Sequence, residues 1–135
     1  MLTIAATLFL SAQSIQAVSA AFPICDDGPR VTCIVDGDTF WLGGEKIRIA
    51  DIDTPEVSQP QCPAEKANGE RATRRLLVLL NAEPFELRRE GEDRYGRTLA
   101  VVVNDRGSVG DQLVAEGLAR TWTGRREGWC DAASN

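Results

Sequence analysis

Residues Val35 to Glu56 read VDGDTFWLGGEKIRIADIDTPE, and the way this stretch breaks into strands and turns decides the fold. Val31 to Val35 is a short β-branched run, Asp36-Gly37-Asp38 is a turn signal, Thr39 to Leu42 is a second run, and Gly43-Gly44 punctuates it. Ile47, Ile49 and Ile52 then set apolar side chains around Arg48, which predicts a third strand ending at Asp53. With a side-chain period of two, Ile47 and Ile49 share the core face and Arg48 points to the other. Pro55 ends the strand, because it removes a backbone donor and keeps Thr54 out of helical geometry.

In such a meander Asp38 and Asp53 come from the ends of neighbouring strands, with the Thr54 carbonyl held rigid before Pro55. Hard divalent cations take several oxygen ligands from carboxylates, backbone carbonyls and water, and these three groups suit that demand. Glu56 lies just beyond and could hold a water. Arg48 lies beside the acids, and a guanidinium there needs either carboxylates or a phosphate as partner. Each piece alone has an ordinary reading. Asp-Gly-Asp is commonly a hairpin turn, Asp-Thr-Pro-Glu commonly a capped helix start, and a strand arginine commonly a solvated one. Their joint occurrence in 22 residues is what points to a site.

Downstream, Ala64 to Leu80 is predicted as the long helix, with Ala72, Leu76, Leu79 and Leu80 in an apolar stripe and Leu77 beside it. Pro63 suits its start and Asn81 its end. Glu70, Arg71, Arg74 and Arg75 fall largely outside the stripe and read as a solvated face. Phe85 to Arg89 alternates as a fourth strand. Gly91 to Arg97 is a polar loop, and Leu99 to Val103 is a β-branched fifth strand with Arg97 at its start. Val109 to Glu116 reads as a shorter helix closed by Gly117, with Leu113, Val114 and Leu118 packed on the barrel, and Ala119 to Trp122 as a segment running extended against the barrel.

The succession V-D-G-D-T, I-R-I-A-D-I-D-T-P-E, D-R-Y-G-R-T-L-A and L-V-A-E-G-L-A-R resembles the staphylococcal nuclease (thermonuclease) family, in that order and at compatible spacings, over Val31 to Trp122. The resemblance implies a mainly β, α+β fold: a five-stranded OB-type barrel with two packed helices. It implies Ca²⁺-dependent hydrolysis of DNA and/or RNA phosphodiesters. By the same resemblance Asp38, Asp53 and the Thr54 carbonyl would hold the metal, Glu56 would be the general base, and Arg48 and Arg97 would grip the phosphate. Asp36 and Asp51 resemble supporting acids near the metal. Tyr95 matches a nucleotide-stacking position, while the region after Gly117 offers Trp122 where the family has a tyrosine pair. The competing expectation is a non-catalytic module of the same ancestry that binds nucleic acid or protein.

Residues 1–20 carry no charge, hold an apolar run from Leu2 to Leu10, and end in Ala17-Val18-Ser19-Ala20. This reads as a secretory signal cleaved near Ala20, although the usual early positive charge is missing. Residues 21–30 would then be a short lead-in, 31–130 the nuclease-like domain and 131–135 a tail. Removing twenty of 135 residues leaves 115, enough for one domain. The expectation is a periplasmic or secreted monomer with a nucleic-acid substrate, no membrane anchor after cleavage and no stable protein partner.

Cys25, Cys33, Cys62 and Cys130 are an even set in a chain that reads as exported, which suggests two disulfides. Three connectivities are formally open, and Cys25 with Cys33 and Cys62 with Cys130 is the favoured one. A zinc site lacks both a C-x-x-C spacing and any histidine. With no histidine, a general base must be a carboxylate, and 13 arginines against two lysines supply the cations. The net charge of −5 argues against avid nucleic-acid binding and for weak, salt-sensitive contact through local arginines.

Overall fold

A computed structural model of the chain describes residue 2, residues 4–9 and residues 17–130. The tail at 131–135 and much of the signal reading, at positions 1, 3 and 10–16, lie outside the described residues.

Three strands form the expected meander: β1 (Cys33–Asp36), β2 (Thr39–Leu42) and β3 (Glu45–Ile49). Gly43 and Gly44 turn β2 into β3 at φ of 58° and 84°, a backbone that side chains with a Cβ adopt poorly. The helix α1 (Pro63–Ala82) follows, then β5 (Glu86–Glu92) and β6 (Thr98–Asn104). The main sheet runs β1-β2-β3-β6-β5, with β3 and β6 parallel and the other pairs on this path antiparallel. The short β7 (Gly107–Ser108) pairs with β6 and leads into α2 (Val109–Ala115). These five main strands and two helices make the α+β class the sequence implies.

One expected strand divides. The third run does not continue from Ile47 to Asp53; β3 stops at Ile49, and Ile52–Asp53 is a separate strand, β4. β4 pairs antiparallel with β8 (Arg120–Thr121), setting Ile52 opposite Thr121 and Asp53 opposite Arg120. The intervening Ala50-Asp51 turn is braced by Arg48, whose Nη1 donates to the carbonyls of Ile49 at 2.5 Å and Ile52 at 2.8 Å. The fourth strand is longer than predicted: it passes Gly91, whose φ is 105°, and shifts register between Arg89 and Glu92.

Ile34, Phe40, Ile47, Ile49, Ile52, Leu76, Leu80, Val102, Val109 and Leu113 are fully buried. Removing each such side chain from water stabilises the fold by about 1.5–3 kcal/mol. The stripe of α1 closes one side of this core, as its spacing required. Segment 18–25 also joins it. Val18 pairs with Phe85, and Phe22 is buried with its ring edge-on to Phe40 at 5.7 Å. The Asn81 side chain holds Phe22 through both its backbone N–H and its carbonyl. Both favoured disulfides are present, Cys25 to Cys33 and Cys62 to Cys130.

Candidate active site

The site is assembled by the β1–β2 turn, β3 and β4. Opposite registration of Thr39 and Arg48 brings Asp38 beside the guanidinium, and the turn after β3 returns Asp53 to it. Arg48 Nη2 lies 3.5 Å from Asp38 Oδ2 and 3.6 Å from Asp53 Oδ1. Asp38, Arg48, Asp53 and Thr54 are all buried, at 6, 9, 4 and 2 % exposure. Burying charges is costly unless they are paired, and here one guanidinium stands between both carboxylates.

Asp38 is held on both oxygens: Oδ1 accepts from Thr39 Oγ1 at 3.1 Å and Oδ2 from the Thr54 N–H at 3.0 Å. The Asp38 N–H donates to Asp36 Oδ1 at 3.1 Å. Asp36 therefore stands directly behind Asp38. Burial, and then the charge of Asp38, pushes the Asp36 carboxyl up to about 8. Asp53 is pushed up as well, by burial and then by Asp38, against the pull of Arg48, Arg126 and Trp129. Among the described residues, Asp53 Oδ1 is a buried oxygen without a hydrogen-bond partner. Asp51 turns the other way. Its Oδ2 accepts from Ser108 Oγ at 2.6 Å at the start of α2, and its carbonyl accepts from the Trp122 N–H at 2.9 Å.

Among the described residues Arg97, Tyr95 and Trp122 make no hydrogen bond to Asp38 or Asp53; they share a cleft of about 740 Å³ with Arg48. Parallel pairing explains this, because Ile47 lies opposite Thr98 and Arg48 opposite Leu99, which sets Arg97 just below Arg48 along the sheet. The loop that carries Arg97 is organised by Asp93, whose Oδ1 accepts from the N–H groups of Tyr95 and Arg97 and whose Oδ2 accepts from Arg97 Nε at 2.6 Å. Arg97 lies 5.5 Å from the Tyr95 ring centroid, and Arg48 lies 5.8 Å from that of Trp122. Tyr95 and Trp122 are both exposed, and each ring carries a guanidinium over it, Arg94 at 4.9 Å as well as Arg97 in the case of Tyr95.

Glu56 opens into a second, smaller hollow of about 380 Å³. Its carboxylate pairs with Arg126, and Arg126 lines both hollows. Three contributors were not visible to sequence reasoning. Glu65, 4 % exposed, accepts from the N–H groups of Glu56 and Gln61 and so fixes the loop that carries Glu56. Its position two residues after Pro63, within the first turn of α1, is the spacing of a capping acid and was the available signal. Trp129 Nε1 donates to Asp53 Oδ2 at 3.3 Å, and Arg126 reaches Glu56. Both belong to a segment with no periodic pattern, delivered by β8 and by the Cys62–Cys130 disulfide.

The donor set suits a hard divalent cation. Two adjacent buried carboxylates, one with an oxygen that accepts no hydrogen bond, carry charge that a cation would stabilise. Among the described residues no three acids or cysteines form a metal cage, so a carbonyl and water would have to complete such a set.

A small mixed-sheet domain with an acid pair under an arginine-lined cleft defines a class of compact, OB-type proteins built around a polar site. Residues 46–132 match the model described as staphylococcal nuclease homologue, and the chain belongs to that family. It is 36% identical over 93 residues to an uncharacterized endonuclease of Haemophilus influenzae, covering 69% of this chain and 46% of that protein. It is 33% identical over 97 residues to the thermonuclease of Staphylococcus hyicus, covering 67% and 57%. A third relative, endonuclease YncB of Bacillus subtilis, is 38% identical over 93 residues, covering 64% and 44%. The chain thus spans about half the length of these curated relatives.

Proposed function

We propose that this domain is a nuclease that hydrolyses phosphodiester bonds of DNA and/or RNA with Ca²⁺ at the acid pair. The observation that carries this reading is the convergence of Asp38 and Asp53 on one buried guanidinium, with Asp53 Oδ1 left without a hydrogen-bond partner. Asp38, Asp53 and the Thr54 carbonyl would hold the ion, with Asp36 behind Asp38 as its support. When bound, the ion supplies Lewis-acid polarisation of a phosphate oxygen. Arg48 and Arg97 bind the scissile phosphate and stabilise charge that grows on it, since arginine offers a permanently charged planar fork. Glu56 takes the proton of the attacking water, the role a chain without histidine must give to a carboxylate. Tyr95 and Trp122 supply faces for the flanking bases.

Names of the relatives support a nuclease, and two disulfides are compatible with a periplasmic or secreted location. Among the described residues no helix is long and apolar enough to cross a membrane. Leu2, Ile4, Leu8 and Phe9 are exposed, as a removable leader would be, whereas Val18 pairs with Phe85 and Val18 and Ala20 pack on the core, so a cut after Ala20 would remove that contact. The buried Phe22 would remain in the domain.

Oxidised protein incubated with denatured DNA and RNA should cleave them with Ca²⁺ and not in chelator. Glu56→Gln should lower the rate by about 10²–10⁴-fold. Undiminished cleavage in chelator would overturn the metal assignment, and undiminished cleavage by Glu56→Gln would overturn that of the base. Binding without cleavage under all conditions would favour the non-catalytic module.

A further inference from the structure

The segment from Trp122 to Cys130 is fastened at both ends to the acids it passes over. At its start, Thr121 pairs with Ile52 and the Trp122 N–H donates to the Asp51 carbonyl. At its end, Trp129 donates to Asp53, its ring is stacked 3.7 Å from the Arg120 guanidinium, and Cys130 is bonded to Cys62 beside α1. Arg120 Nη1 also donates to the Gly128 carbonyl at 2.8 Å. The strap between these anchors carries Arg126 to the junction of the two hollows. One hollow holds Arg48, Arg97, Tyr95 and Trp122; the other holds Glu56 and Glu65.

We propose that Arg126 is a third phosphate-binding cation of this site, one that pairs with Glu56 while the cleft is empty and exchanges it for the phosphate next to the scissile one. The reading rests on the nuclease assignment for the identity of its anion. Arg48 and Arg97 are committed to the scissile phosphate in that reading, and their present contacts hold them in place there. Arg48 is buried and engaged by two carbonyls and two carboxylates, and Arg97 is tied to Asp93. Arg126 is different: its side chain is 65 % exposed and its recorded partner is the Glu56 carboxylate. An ion pair that open to water is weak and screened by salt, so a phosphate can displace it. The exchange has a chemical use. A strand lying across both hollows draws the guanidinium onto itself and leaves the Glu56 carboxylate unpaired, so the base is released where substrate is bound. A substrate with a single phosphate would not reach Arg126.

The test is equilibrium binding of a fluorescent twelve-base single-stranded DNA to the oxidised full chain in chelator, where no cleavage is expected, across a range of salt. Arg126→Gln should weaken binding roughly tenfold at low salt, the size of a lost charge-assisted contact. It should also lower the slope of log affinity against log salt by about 0.7, the value for one phosphate contact to a single strand. Arg126→Lys should restore the slope. In the presence of Ca²⁺, Arg126→Gln should raise KM for the oligonucleotide and leave KM unchanged for a thymidine phosphate aryl ester that carries one phosphate. Equal slopes for Arg126→Gln and the unaltered chain overturn the proposal, as does absence of measurable binding by the unaltered chain. A slope that depends on Arg126 in a protein that never cleaves leaves this assignment standing and removes the nuclease reading instead.

Discussion

At the scale of single residues, the site concentrates negative charge under a sheet, and the cost appears as displaced ionisation. Asp36 has a folded value of about 8 against an ordinary 3.8, so the folded chain keeps a proton that the unfolded chain has already lost above about pH 4. Stability then falls as pH rises, because over that interval the folded state binds more protons. The contribution is fully present below about pH 4 and is lost as pH climbs through about 8. Asp53 is shifted in the same direction and adds to the same trend. Glu45, Asp93 and Glu116 are shifted down by arginine partners, so their contributions are present above the ordinary carboxylate range and are lost only as pH falls below it, through the lowered folded values. In chelator, Asp36→Asn should therefore flatten the fall in melting temperature between pH 5 and 8, since its amide oxygen can still accept from the Asp38 N–H. Parallel melting curves for the two proteins over that range would refute the account.

At the scale of elements, the decisive contact is where α1 crosses the loop that carries Glu56. A Cβ on Gly69 would stand 2.7 Å from the Pro55 carbonyl oxygen and 3.0 Å from that of Glu56, and backbone oxygens cannot swing away as a side chain would. Alanine in place of glycine stabilises an isolated helix by about 1 kcal/mol. Here Gly69→Ala should instead destabilise by roughly 1–3 kcal/mol, the usual range for overpacking. It should also cut kcat/KM by tenfold or more, because a displaced base loses its geometry. A variant that melts higher and cleaves normally would show that the loop yields freely. This contact also shows what the sequence disclosed. Hydrophobic periods of two and 3.6 marked β2, β6 and α1 to within a few residues, and the acid–arginine pattern marked Asp38, Arg48 and Asp53. A run of Ile47, Ile49 and Ile52 cannot announce that Arg48 bends the chain between its second and third members. Nor can spacing show that Asp51 turns to Ser108, or that Arg126 and Trp129 meet the site, since those depend on pairings across 57 residues or across β4 and β8.

At the scale of the whole molecule, the two disulfides divide stability from function. Cys25–Cys33 spans eight positions and ties the segment carrying Phe22 to β1, whereas Cys62–Cys130 spans 68 and ties the strap over Asp53 and Glu56 to the start of α1. Restriction of the unfolded chain grows with the logarithm of loop length, so the longer closure contributes about 4 kcal/mol and the shorter about 2.5. Both Cys→Ser pairs should therefore lower the urea midpoint, the second by more. Only Cys62→Ser with Cys130→Ser should change the chemistry of protein that is still folded. Freed at one end, the strap loses the fixed approach of Trp129 to Asp53 and of Arg126 to Glu56. Measured well below the melting transition, kcat/KM on single-stranded DNA should fall for that variant and remain at the parental level for Cys25→Ser with Cys33→Ser. Equal loss in both would mean that stability alone governs activity. Equal retention in both would mean that β8 and the Arg120–Trp129 stack suffice to hold the strap without its covalent tie.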